Sequence, residues 1–339
     1  MEVHVAGWLA LFTIVVALLV LDFVGHVRAA HEPKIAEAAR WSALYASLAV
    51  AFGFLVWAIW GLRYATEYWA GWVTEWSLSL DNLFVFIIII SAFRVPRKYQ
   101  QKVLLFGIVI ALVFRFLFIM VGAFFVARFT WIFYIFGAFL IWTAISQLRQ
   151  GVTSSDELEA GEYQENTLTR MARKFFPVTE GFVGGAMLVR RQHKTFITPM
   201  LIVVIALGSA DLMFAVDSIP AIFGLTKEPF IVFAATCFSL LGLRQLYFLI
   251  DGLMERLAFL HYGLALILGF IGFKLVLHAL HENNLPFLNS GNEIAAQVPE
   301  PTIAFSLLYI VAVLFVTAIS SLIYSHLRPP QQPDATPEP

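Results

Sequence analysis

Nine stretches of about 20 apolar residues, each divided from the next by a short polar segment, constrain this chain more than any other feature, because a helix of that length is what crosses a hydrocarbon core of roughly 30 Å. The stretches fall at about residues 7–26, 41–62, 71–93, 103–126, 131–148, 199–223, 230–252, 258–280 and 303–325. Composition agrees: 60% of the residues are hydrophobic and 13% charged, against about 25% charged in an ordinary soluble domain. The pattern predicts an all-α membrane protein with about nine transmembrane helices, its polytopic domain covering residues 1–325 and the Pro-rich end 326–339 forming a disordered tail.

Charge fixes an expected orientation. The loops after spans 1, 3, 5 and 7 hold fifteen Lys and Arg, from Arg28 and Lys34 to Arg256, whereas those after spans 2, 4, 6 and 8 hold only Arg63, Arg128 and Lys227. The positive-inside rule then places the N-terminus outside and the C-terminus in the cytoplasm of a bacterial-type inner membrane. The cluster Trp57, Trp60, Trp69, Trp72 and Trp76 reads as an interfacial aromatic belt on the outer side. Met1 to Gly7 carries no Lys or Arg, so the first apolar run reads as a membrane helix rather than a secretory leader.

The near-balance of 22 Lys and Arg against 23 Asp and Glu gives no basic face for DNA or RNA; the lipid bilayer and a divalent metal ion are the expected partners. Oligomeric state has no signature. The single cysteine, Cys237, excludes a disulfide framework or a thiolate metal site and reads as a small buried apolar residue. The longest polar segment, 149–197, is acidic first and then basic and aromatic; it reads as a solvated linker with room for a short interfacial helix.

Comparing the chain with itself reveals a duplication. EWSLSLDN in span 3 and DLMFAVDS in span 6 each place an acid six residues before an aspartate and a small polar residue, so Glu75, Asp81 and Asn82 match Asp211, Asp217 and Ser218. Arg115 in span 4 and Arg244 in span 7 extend the match. Three spans separate the copies, so they cross in opposite senses: the fold expected is an inverted 3+3 repeat, spans 3–5 (about 71–148) and 6–8 (about 199–280), an architecture in which substrate binds near the bilayer midplane.

Carboxylates at such depth are expensive, about 2.5–3.5 kcal/mol each on insertion scales, so four of them mark a pathway or site. Arg115, Arg244 and Lys274, the basic residues inside spans, are the expected charge partners. Residues six apart on a straight helix point roughly 120° apart, so one ion cannot use both acids of one helix. Either span 6 is interrupted near Gly208-Ser209 and Pro220, or one acid from each repeat meets its counterpart; the shared site is favoured. Carboxylate, amide and hydroxyl oxygens suit Mg, Ca or Mn without deciding among them. Asp22 in span 1 is a candidate for the pathway, Asp251 reads as a boundary residue, and His278, His281 and Glu282 at the end of span 8 are a weaker cation-release candidate.

On these residues the chain resembles the TerC/Alx family, a branch of the group that includes the lysine exporters: EWSLSLDNLFVF at Glu75 to Phe86, SADLMFAVDSIPAIFGLT at Ser209 to Thr226, LLGLRQLYFLI near Arg244 and ALILGFIGFKLVLH near Lys274. The resemblance implies manganese(II) export, in some members linked to alkaline pH, and an association with tellurium resistance. It places the family's intramembrane acids on Glu75, Asp81, Asp211 and Asp217. Lys274 has only Gln147 or a neighbour opposite it, so the cations are not duplicated as the acids are. The expectation is a metal ion transporter rather than an enzyme, with no cofactor and with Mn(II) as cargo, working by alternating access driven by protons or by the membrane potential, proton exchange being suited to desolvated acids. The alternative is a membrane-protein assembly or stress-resistance factor. An intramembrane aspartyl protease is disfavoured, since the chain has no Tyr-Asp and reads GSAD at Gly208 to Asp211, and an oxyanion carrier would leave the repeated acids without a role.

The expected topology is checked in a Cys237→Ser background. A membrane-impermeant maleimide added to intact cells should label Ser290→Cys and leave Ser154→Cys unlabelled until the membrane is opened; the reverse pattern refutes the orientation.

Overall fold

The computed structural model describes residues 1, 3–27, 35–129, 131–157, 177–179, 181–191, 194–250, 259–282 and 299–327; for His26, Val27, Asp81, Phe84, residues 150–157, Arg191, Lys194, Ile250, His261 and residues 325–327 it describes the backbone alone. Where no water is available, backbone groups must bond within their own segment, and the chain obeys. The helices are α1 (Val5–Asp22), extended by a π turn (Phe23–Val27), α2 (Ile35–Trp60), α3 (Leu62–Ala92), α4 (Arg97–Arg128), α5 (Ile132–Glu157), α6 (Pro199–Phe223), α7 (Pro229–Ile250), α8 (Leu260–His281) and α9 (Ile303–Leu327). Each of the nine contains a stretch long and apolar enough to span a membrane.

The boundaries differ from the sequence reading where polar residues continue a helix. α3 begins at Leu62 rather than near residue 71, and α4 at Arg97 rather than near 103. The segment LRYATEYWAG looks like a loop by hydropathy, yet Arg63 donates to Glu67 one turn on and Thr66 bonds back to the Leu62 carbonyl. α6 runs unbroken from Pro199 through Gly208-Ser209 to Phe223, with Pro220 inside it, so of the two arrangements open to the acids the interrupted helix is not the one adopted. Pro220 lies in the last turn, where a proline removes little of the ladder.

Within the 149–197 segment the structure shows an antiparallel pair, β1 (Leu188–Arg191) with β2 (Lys194–Ile197), while the stretch read as having room for an interfacial helix lies outside the described residues. Thr198 then caps the hairpin to the start of α6, its hydroxyl donating to the Ala186 carbonyl at 2.7 Å. Residues 158–176, the tail from 328, Arg28, Lys34, Asp251, Glu255 and Arg256 lie outside the described residues.

The buried centre is α7, whose whole apolar stretch is enclosed, while α1 and α9 are mostly exposed to the surroundings. α3 packs on α7 and α6, α4 on α6 and α7, and α5 on α8; α2 covers α7 and α3, and α9 lies against α3 and α8. α1 is held by an aromatic cluster in which Trp8 stands edge-on to Phe230 and Phe12 edge-on to Phe116, at 5.3 and 5.4 Å between ring centres. The outward faces are apolar: Val113, Leu117 and Val121 on α4 and Leu308, Phe315 and Val316 on α9 are all more than half exposed, a surface that water would not tolerate but lipid does. Of the tryptophans, Trp57 is half exposed, whereas Trp69 lies over Gly53 and Trp72 and Trp76 line a small internal cavity of about 20 Å³. Three of the five thus pack against neighbouring helices rather than joining a belt.

α5 and α8 meet almost backbone to backbone. A Cβ on Gly137 would fall 2.8 Å from the Gly272 carbonyl oxygen, and one on Gly272 would fall 2.9 Å from that of Gly137. Small residues permit this approach, which is how membrane helices gain packing energy where lipid gives no hydrophobic drive. Gly272→Ala should therefore destabilise the detergent-purified protein by about 1–3 kcal/mol, read as a lower unfolding temperature. Gly25→Ala, whose Cβ would meet nothing within 4 Å, is the control expected to show little change.

Candidate metal-ion site

Two helices bring acids to one point. In α3 the run from Thr74 to Asn82 is almost wholly buried, with Glu75 at 0% and Asn82 at 4% exposure; in α6 Asp211 is 1% and Ser218 2% exposed. In each helix these buried polar residues are seven apart, two turns, and so share a face. The acids six apart lie off that face: Asp217 is half-buried, and the Asp81 side chain lies outside the described residues.

Between the two faces stands Arg115 of α4, fully buried. Its Nε donates to Asp211 Oδ2 at 2.8 Å and its Nη2 to Asp211 Oδ1 at 3.1 Å, the two-pronged geometry that a guanidinium offers a carboxylate. Nη1 donates to the Ser218 hydroxyl at 3.1 Å and forms an ion pair with Glu75 Oε1. The other oxygen of Glu75, Oε2, has no hydrogen-bond partner among the described residues. Glu75 and Asp211, the matching acids of the two repeats, are thus held by a single cation. Both sit near the middle of their helices; Glu75 does so because α3 starts nine residues earlier than its hydropathy suggests.

The other two cations are placed elsewhere. Arg244 of α7, 1% exposed, pairs with Asp22 at the end of α1, where the π turn begins, and Tyr45 lies beside the pair. Arg244 Nε and Nη1 have no hydrogen-bond partner among the described residues. Lys274 of α8 donates to Ser306 of α9 at 3.2 Å. It borders a cavity of about 510 Å³ between the start of α3, the α6–α7 turn, the end of α8 and the start of α9.

That cavity contains a residue the sequence reading passed over. Glu67, 3% exposed, accepts a hydrogen bond from Thr226 at 2.6 Å and from Arg63 at 3.1 Å. Thr226 in turn accepts from the Glu228 amide, so the hydroxyl joins α3 to the α6–α7 turn. Glu67 stands about 12 Å along α3 from Glu75. The four-residue step from Arg63 to Glu67, an ion-pair spacing on a helix, was the signal available. At the cavity wall His278 bonds Glu300 at 2.9 Å and lies 3.4 Å from Glu282, which pairs with Lys227. Among the described residues no three His, Cys, Asp or Glu side chains are placed to hold a metal; Glu75, Asp211 and Asp22 each meet an arginine instead. Cys237 is fully buried, as expected.

Ion pairs in such surroundings are strong only as pairs. Arg244→Leu should leave Asp22 uncompensated and cost about 3–5 kcal/mol, whereas Arg244→Leu with Asp22→Leu should recover most of the loss. A thermal double-mutant cycle in detergent checks this, and simple additivity of the two losses would contradict the pairing.

Comparison with known proteins adds a family. The Integral membrane protein TerC family matches residues 60–328. An uncharacterized membrane protein of Mycobacterium bovis is 46% identical over 299 residues, 88% of this chain and 73% of its own. One from Myxococcus xanthus is 36% identical over 97% of this chain and 95% of its own. A protein of Salmonella typhi named putative membrane-bound redox modulator Alx is 36% identical over 80% of this chain and 85% of its own. No solved structure matches.

Proposed function

We propose, from the premise that this chain belongs to the Integral membrane protein TerC family, that it is a carrier which exports a divalent cation from the cytoplasm. The observation that supports this reading most is the meeting of Glu75 and Asp211, from two different helices, at one buried point beside the Ser218 hydroxyl. Buried carboxylates at that depth are retained where an ion pathway needs them, and an all-oxygen set suits the hard divalent ions. Manganese(II) is placed first among these because the family resemblance implies it.

The helix packing supports an inverted repeat. Exchanging α3–α5 for α6–α8 turns the α3–α7 contact into the α6–α4 contact and leaves α3–α6 and α5–α8 unchanged. In this reading the repeats rock about the Glu75–Asp211 point, the N-terminus is outside, and the cavity above Glu67 is the outward mouth. Protons are the exchanging ions, which suits acids that lose hydration when the path closes. The Salmonella relative's name speaks of redox modulation; with one buried cysteine in its 339 residues, this chain holds no dithiol pair with which to do such work itself.

The test is metal flux in proteoliposomes, with manganese set against magnesium, calcium and zinc. Asp81→Asn, Asp211→Asn and Asp217→Asn should each lower manganese flux by at least about tenfold, and Glu67→Gln, at the mouth, by less. No flux of any divalent ion through a folded wild type would sink the carrier reading and favour a membrane-protein assembly or stress-resistance role.

A further inference from the structure

The cation that fills the shared site in this structure belongs to the protein. Arg115 lies against two carboxylates from different helices and one hydroxyl, which is the oxygen set a hard divalent ion would recruit, and the second Glu75 oxygen, Oε2, lacks any hydrogen bond among the described residues. A carboxylate in purely structural service at 0% exposure is expected to have its lone pairs satisfied. Glu75 instead meets the guanidinium through one oxygen and leaves the other unbonded, as an ion's ligand does when the ion is replaced by something of another shape.

We propose that the Arg115 guanidinium is a tethered stand-in for the transported cation, occupying Glu75 and Asp211 whenever the carrier is empty and giving way when a divalent ion arrives. This rests on the carrier reading above and goes beyond it. Two bare carboxylates could not pass through the closed state without a proton or a counter-charge, because removing the partner of a buried pair leaves an uncompensated charge. With Arg115 in place, Glu75 and Asp211 return as carboxylates, and the exchanging protons are left to Asp81 and Asp217. Net export then needs no returning metal ion at this site. Arg115 competes with its own cargo, so it lowers affinity while permitting turnover. Ser218 contributes by accepting from Nη1, which keeps the guanidinium anchored on α6 beside Asp211.

The structure therefore separates two activities that an ordinary binding residue would not separate. In proteoliposomes loaded with manganese(II), Arg115→Gln should lose net efflux by at least about tenfold yet keep exchange of radiolabelled against unlabelled manganese, because the loaded carrier still crosses. Manganese(II) binding, read from loss of the free-ion electron paramagnetic resonance signal, should tighten by about tenfold or more in the same variant, and manganese should raise its unfolding temperature more than that of the wild type. If Arg115→Gln does not fold, Arg115→Lys carries the test: a point charge cannot span both carboxylates as the planar fork does, so binding should tighten and the ratio of exchange to net efflux should rise. Equal loss of both fluxes, or unchanged or weaker binding in a folded variant, overturns the inference. Wild-type protein that shows neither flux overturns the carrier reading itself, whereas wild-type flux with unaltered Arg115→Gln behaviour overturns this proposal alone.

Discussion

A guanidinium at the middle of an apolar bundle has no water to hydrate it, so wherever it goes carboxylates and hydroxyls must be brought to meet it. Arg115 meets Asp211 through two hydrogen bonds, Ser218 through one and Glu75 through charge. That single requirement sets the relative depth of three helices, because α3, α4 and α6 can shift along their axes only by separating charges in a medium that does not screen them. The apolar contacts around the site are non-directional and would accept several registers. The buried charges accept few, and so they act as the register marks of the bundle.

Charge is distributed through the rest of the molecule by the same logic. Arg244 sits where α1 can supply Asp22, and α1, the helix least embedded in its neighbours apart from α9, is tied to the central α7 by that pair and by the aromatic cluster around Trp8 and Phe233. Lys274 ties α8 to α9 through Ser306. Each cation within a span thus links a different pair of layers, and only Arg115 links the two helices that carry the repeated acids. The outer cavity is polar for a related reason. Glu67 with Thr226 and His278 with Glu300 form two hydrogen-bonded pairs in its wall, where partial access to water lowers the expense of burying them.

Much of this was legible beforehand, and the limits follow from physics. Span number follows from hydropathy because lipid leaves the backbone no alternative to a closed helix. The pairing of Glu75 with Asp211 was readable from the six-residue spacing, since that angle forbids one helix from presenting both acids to one ion. Glu67 was missed because hydropathy treats a polar turn and a polar loop alike, and the Arg63 to Glu67 step was the only local sign that the helix had already begun. The partner of Arg244 was not legible at all: Asp22 lies 222 residues away, and no periodicity connects them. Gly208-Ser209 left a break in α6 open as an alternative, but Gly208 instead admits the close approach of Ile110 on α4, a role in packing that composition cannot distinguish from a break. The strand pair at 188–197 was hidden by its brevity, four residues a side.

α2 and α3 are joined by one residue, Gly61, whose φ of 95° belongs to the region that side chains disfavour. A helix of 26 residues and one of 31 therefore turn back on each other with no slack. The consequence lies in how the chain is made. α3, laden with Thr74, Glu75, Ser77, Ser79, Asp81 and Asn82, is a poor candidate for leaving the translocation channel into lipid unaided. Bound so tightly behind the apolar α2, it can partition as the second arm of a preformed hairpin, its acids shielded by a companion until α4 arrives with the arginine that they will keep.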